Sequence, residues 1–150
     1  MTDFFQFEAD FVESLRCIPL AVRLKLDTCG VKLKLNHWHQ FTLEEREILV
    51  KKPCVTSLEA EDYATFLQEL VHKQTGKYAK TLEIESNPSW QQKGKIPLQI
   101  IEKAQEFDIK LSINQWQNLT DLQRFALIKL SRPSHENNNF LPALKEFDLI

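Results

Sequence analysis

Ile18-Pro-Leu-Ala-Val-Arg-Leu-Lys-Leu-Asp-Thr-Cys-Gly-Val-Lys-Leu-Lys-Leu-Asn-His-Trp-His-Gln-Phe-Thr-Leu-Glu-Glu-Arg-Glu-Ile-Leu-Val-Lys51 decides the fold, because it comes back later in the chain. The second version runs Ile96-Pro-Leu-Gln-Ile-Ile-Glu-Lys-Ala-Gln-Glu-Phe-Asp-Ile-Lys-Leu-Ser-Ile-Asn-Gln-Trp-Gln-Asn-Leu-Thr-Asp-Leu-Gln-Arg-Phe-Ala-Leu-Ile-Lys129 and aligns without a gap. Ile18/Ile96, Pro19/Pro97, Leu20/Leu98, Lys25/Lys103, Lys32/Lys110 and Leu33/Leu111 match, as do Asn36/Asn114, Trp38/Trp116, Thr42/Thr120, Arg46/Arg124, Leu49/Leu127 and Lys51/Lys129. Such self-similarity is the mark of an internal duplication, here of repeat A, 18–53, and repeat B, 96–133.

Both copies carry the same local grammar. Pro19 and Pro97 suit the first turn of a helix, where the missing N–H costs nothing. That helix should end near Gly30 in the first copy and Asp108 in the second. A short period-two run follows, Val31–Leu35 or Ile109–Ile113, which predicts an extended segment able to make a minor β pairing. Thr42-Leu-Glu-Glu45 and Thr120-Asp-Leu-Gln123 are capping boxes that open a second helix, to be stopped by Pro53 and Pro133. Trp38 and Trp116 stand just ahead of these caps, placed to pack over the helix pair.

Working outward, Thr56-Ser-Leu-Glu59 is a third capping box. It opens an amphipathic helix over about 57–75, with Tyr63, Phe66, Leu67, Leu70 and Val71 on one face and Gly76 as its stop. Residues 77–95 read as a polar linker around Asn87-Pro-Ser-Trp90, with room for one helical turn. Ser134 to Asn139 reads as a loop, and Pro142 can start a last short helix, Ala143–Phe147. Phe4, Phe5, Phe7 and Phe11 are too apolar for a free tail and should dock on the core. The expectation is a mainly α single domain over 1–150, with about six or seven helices built on a duplicated helix, short extended segment and capped helix.

Composition bounds the function. At 150 residues, 43% hydrophobic and 27% charged, the chain is long enough and apolar enough to bury a core. Its net charge is only -2, with Lys and Arg interspersed among Asp and Glu, so the basic stripe of a nucleic-acid binder is missing. The start has neither the positive nor the apolar region of a signal peptide, and no apolar run approaches the roughly 20 residues of a membrane span. A cytoplasmic location, away from membranes, is expected. Three widely spaced cysteines are best read as reduced thiols, and three glycines leave no Gly-rich phosphate loop.

Few residues offer chemistry. Cys17, Cys29, Cys54, His37 and His39 could be assembled into a metal, cluster or cofactor site. Their spacing contains no C-x-x-C and no H-x-x-x-H, and Gln115, Gln117 and Phe107 replace the His and Cys in the second copy. Buried thiols and exposed imidazoles are the simpler reading. Cys17 follows Arg16, whose charge favours thiolate, but no base and orienting group stand beside it to make a nucleophile. Arg46 and Arg124 are read as structural, closing a loop or pairing with a carboxylate such as Asp27. The best local cationic patch for a partner is Lys129, Arg132 and His135, in a loop that joins two helices. No catalytic residue and no cofactor is assigned.

Phe7-Glu-Ala-Asp-Phe-Val-Glu-Ser-Leu-Arg-Cys-Ile-Pro19, Val22-Arg-Leu-Lys-Leu-Asp27, Arg124 to Glu136, Phe140 and Ala143-Leu-Lys-Glu-Phe147 together resemble the nitrate-reductase-associated protein family of cyanobacteria. That resemblance covers nearly the whole chain. It implies a non-catalytic accessory protein that supports the assembly or activity of assimilatory nitrate reductase through protein–protein interaction. A metal, cluster or cofactor carrier for that enzyme is the alternative, and a helical nucleic-acid-binding regulator the second alternative.

Overall fold

The structure, a computed structural model, describes residues 4–9, 15–132 and 138–150. Among them are eight α-helices and one two-stranded antiparallel sheet. The chain divides into two compact units. The first takes in Phe4 and Glu8–Glu85, the second Phe5–Phe7 and Ser86–Ile150.

In the first unit, α1 spans Leu20–Cys29, with Pro19 as its N-cap. Proline has no side-chain acceptor for the first amides, and the buried Glu8 supplies one: its carboxylate accepts the Leu20 N–H at 3.2 Å. A negative group there also meets the positive end of the helix dipole. The helix ends on Gly30 at φ 77°, whose N–H returns to the Leu26 carbonyl. A side chain at this position would be excluded twice, by the backbone angle and because its Cβ would lie 2.8 Å from Ile84 Cγ1 and 2.9 Å from the Leu82 carbonyl.

After Gly30 the extended run is short. Only Val31–Lys32 forms a strand, β1, which pairs with β2, Lys80–Thr81, in the register Val31↔Thr81 and Lys32↔Lys80. Then comes α2, Leu35–Gln40, whose first residue, Leu35, closes the run Val31–Leu35 that the period-two pattern assigns to extended chain. Its first turn is held by His37, whose Nδ1 accepts the Lys34 N–H at 3.3 Å. Helix α3, Leu43–Lys51, starts at the Thr42 box as predicted: the hydroxyl accepts the Glu45 N–H and Glu45 accepts the Thr42 N–H.

Helix α4, Ser57–Thr75, is likewise opened by Thr56 and Glu59 and closed by Gly76 at φ 79°. Its buried face is Tyr63, Leu67, Leu70 and Val71, the predicted set, with Phe66 half-buried beside it. Around that face gather Val22 and Leu26 of α1, Trp38, Phe41, Leu49 and Val50 to form the core of the unit. Burying one such side chain contributes about 1.5–3 kcal/mol.

In the second unit, α5, α6 and α7 occupy Leu98–Gln105, Ile113–Gln117 and Asp121–Leu130. These positions match α1, α2 and α3 in the aligned stretches. Two of the caps were legible, but Ser112-Ile-Asn-Gln115 is a further box: Ser112 Oγ accepts the Gln115 N–H at 3.1 Å, and Gln115 accepts the Ser112 N–H at 2.9 Å. That box draws Ile113 into a helix. Ile109 to Leu111, with no strand opposite, is neither helix nor strand. Asp108 takes the left-handed turn at φ 58° that a glycine takes in the first copy.

Helix α7 buries Arg124 to Ile128 and Leu130, nearly its whole circumference. A helix buried around most of its circumference is an interior element, and this one is the core helix of its unit. A 3₁₀ turn at Ser89–Gln91, the one turn allowed for in the polar linker, packs on it through Trp90, whose ring meets Phe125 edge-on at 6.2 Å. The last helix, α8, covers Phe140–Glu146, with Pro142 in its first turn. Phe5 and Phe7 pack on Phe147 at 5.0 and 6.1 Å, and Glu146 accepts the Gln6 and Phe7 amides at 3.0 and 3.1 Å. Phe4 packs against the core of the first unit. Phe11 lies outside the described residues. Among the described residues, no helix is long and apolar enough to cross a membrane.

Candidate functional site

Three groups of side chains offer polar chemistry: an Arg–Trp knot in each unit, and a thiol pair in the first. In the first knot Trp38 is fully buried, and its indole N–H donates to the Leu15 carbonyl at 2.7 Å. Arg46 donates to the carbonyls of Trp38, Leu15 and His39 at 3.0, 3.2 and 2.9 Å, with its guanidinium 6.0 Å from the Trp38 ring.

The second knot uses the matching residues. Trp116 Nε1 donates to the Gln92 carbonyl at 2.8 Å. Arg124 donates to the carbonyls of Trp90, Trp116 and Leu119 and pairs with Asp121. Both arginines therefore close loops through backbone carbonyls, as their recurrence suggested, and Arg124 also pairs with a carboxylate, that of Asp121. Each guanidinium spends at least three N–H donors within the fold.

The thiol pair unites two of the cysteines singled out in the sequence. Cys29 ends α1, and Cys54 lies in the connection from α3 to α4; both are buried and reduced. Cys29 Sγ reaches the Leu26 carbonyl at 3.8 Å and Cys54 Sγ the Lys25 carbonyl at 3.6 Å, so successive carbonyls of α1 hold the two sulfurs side by side. The interaction between the two thiols couples their ionisation. It lowers the pKa of Cys29, with help from backbone N–H groups and against burial, and raises that of Cys54, which burial pushes further up. Tyr63 lies over the same region, its hydroxyl donating to the Leu49 carbonyl at 2.7 Å. Burial, then the two thiols, raises its pKa.

The remaining candidates stand apart from the pair. Cys17 is half-buried. His37 is engaged with the Lys34 amide, and its pKa is held below the ordinary imidazole value by burial and by the Lys34 charge. The exposed His39 contacts the Arg16 carbonyl at 2.8 Å through Nε2. Among the described residues, no three or more His, Cys, Asp or Glu side chains are grouped so as to hold a metal ion.

Of the predicted partner patch, Lys129 lies half-buried with its Nζ 5.2 Å from the Phe125 ring, Arg132 is exposed, and His135 lies outside the described residues. Sequence reasoning missed a neighbouring apolar strip. Leu98 and Ile101, one turn apart on α5, are 66% and 38% exposed, while Ile100 and Ala104 fill the core behind them. Ile101, Ile109 and Leu111 line a shallow groove with Gln105, Asp108 and Lys110. The signal was available in Leu98-Gln-Ile-Ile101, which is apolar on two faces of one helix.

Against this geometry, residues 4–147 match the family described as conserved nitrate reductase-associated protein. The chain belongs to that family. The match takes in both Arg–Trp knots, the thiol pair and the α5 strip. No curated protein and no solved structure matches it significantly.

Proposed function

We propose that this chain is a non-catalytic accessory protein of assimilatory nitrate reductase, acting in the cytoplasm by direct contact with the enzyme or its apo form. The observation that carries this reading is the family match over residues 4–147.

Local chemistry supports it. The strongest cationic side chains of the repeat, Arg46 and Arg124, are occupied by backbone carbonyls, which gives them a task in folding. Exposed apolar surface grouped beside polar residues is the usual mark of a protein contact, and the second unit offers it in Leu98, Ile101 and the adjoining groove. Arg132 adds a cation within the same unit.

The test is co-purification. A tagged chain, recovered under gentle conditions from cells that assimilate nitrate, should bring nitrate reductase with it, and Leu98→Asp/Ile101→Asp should cut the yield at least tenfold. Deletion of the gene should lower reductase activity. Absence of the enzyme from the eluate together with normal activity in the deletion strain would refute the proposal.

A further inference from the structure

We propose that Cys29 and Cys54 form a reversible dithiol–disulfide couple, a covalent modification site whose oxidant is a hydroperoxide. The couple is independent of nitrate reductase and arises where α1 meets the loop after α3.

Two thiols can bridge only if their backbones hold the sulfurs in register before the bond forms. Here that register is built in. The carbonyls of Lys25 and Leu26 each take one thiol, and the two thiols lie close enough to shift each other's ionisation. Cys29 sits at the end of a helix that Gly30 terminates, and Cys54 sits in a loop. A small adjustment of that loop can therefore close the remaining gap without moving a helix.

The pair also divides its labour. The neighbouring Cys54 side chain and the Val31 amide both favour negative charge on the Cys29 sulfur. The thiolate is the nucleophile in such chemistry, so Cys29 is the attacking group and Cys54 the resolving one. Lys25 favours the Cys54 thiolate, whereas Glu59 opposes it, as Asp27 opposes that of Cys29.

Access suits a small oxidant. Cys54 is buried, yet Pro53 and Val55 on either side of it are exposed, Val55 at 86%. Neither thiol is fully sealed, Cys29 being 8% and Cys54 5% exposed.

The chemistry balances with one hydrogen peroxide. The Cys29 thiolate attacks one peroxide oxygen; an S–O bond forms, the O–O bond breaks, and the departing hydroxide takes up a proton to become water. Cys29 is then a sulfenic acid. The Cys54 sulfur attacks it, the S–S bond forms, and the hydroxyl leaves as a second water with the proton from Cys54. Two thiols and one peroxide give one disulfide and two waters, and a dithiol reductant reverses the change.

The test uses the full chain, treated with hydrogen peroxide, alkylated after denaturation and digested without reduction. The expected products are an intramolecular mass loss of about 2 Da, a cross-linked peptide joining Cys29 to Cys54, an alkylated Cys17, and full recovery with dithiothreitol. In Cys54→Ser, dimedone should trap a sulfenic acid on Cys29; in Cys29→Ser it should trap none on Cys54. Full alkylation of Cys29 and Cys54 after peroxide, or cross-links through Cys17 alone, would overturn the couple. Because the wild-type digest decides the matter, poor folding of either variant leaves the result intact. Trapping on Cys54 in place of Cys29 would overturn the assigned roles.

Discussion

Replacing Arg124 with methionine removes the centre of the second knot while keeping the length and much of the volume of the side chain. In the native protein Arg124 is 1% exposed and donates to three backbone carbonyls, those of Trp90, Trp116 and Leu119, besides pairing with Asp121. A hydrogen bond from a charged donor is worth about 1.5–3 kcal/mol, and a buried acceptor left without a partner costs about 1–3 kcal/mol. Three such bonds do not add fully, since methionine restores some packing and a water can re-satisfy one carbonyl. A net loss of about 3–5 kcal/mol follows. Arg46→Met is the internal control: it too breaks three bonds to carbonyls, but Arg46 is half-exposed, so water replaces the guanidinium and the loss should be about 1–2 kcal/mol. Urea melts followed by far-UV circular dichroism and tryptophan fluorescence measure both. Against a total stability of about 5–15 kcal/mol, the difference is easily resolved. Equal losses for the two variants, or a loss under about 1 kcal/mol for Arg124→Met, would refute the claim that burial of the knot sets its worth.

Gly30→Ala should destabilise by about 2–4 kcal/mol, since it adds a close approach to Ile84 and Leu82 to the strain of a left-handed angle, whereas Gly76→Ala, with nothing within 4 Å, should lose only about 1 kcal/mol; thermal melts compare them. Thr56→Ala should cost about 1 kcal/mol through the lost cap on α4, read from a urea midpoint. Glu59, whose carboxylate accepts the Val55 and Thr56 amides, has its pKa held below the ordinary 4.5. Its contribution is therefore complete above that value and is lost as pH falls through the depressed pKa, which a drop in the protection factors of the Val55 and Thr56 amides, relative to intrinsic exchange at each pH, should report. Tyr63→Phe removes a buried hydroxyl bond to the Leu49 carbonyl and should cost about 1 kcal/mol, again by urea melt.

Much of this molecule was legible from its residues because the deciding interactions are local. Capping boxes at Thr42, Thr56 and Thr120 satisfy orphan amides within one turn, so three residue types at fixed spacing announce a helix. Gly30 and Gly76 end helices because only glycine takes their angles cheaply, which is again a property of one position. The recurrence of Ile-Pro, Asn-x-Trp and Thr-x-x-(Glu/Gln)-Arg carried the order of elements in both halves, and with it the mainly helical class.

Tertiary structure alone decided the rest, since it depends on groups far apart in the chain. Whether Val31–Lys32 becomes a strand depends on Lys80–Thr81 lying opposite it, which is why Ile109 to Leu111 stays irregular. Arg46 and Arg124 could be seen to matter, but their acceptors are the carbonyls of Leu15 and Trp90, and a carbonyl has no residue type to betray it. The same holds for Cys29 and Cys54. Spacing hid the pair because neither ligand periodicity nor a C-x-x-C motif joins them, and two successive carbonyls of one helix bring their sulfurs together.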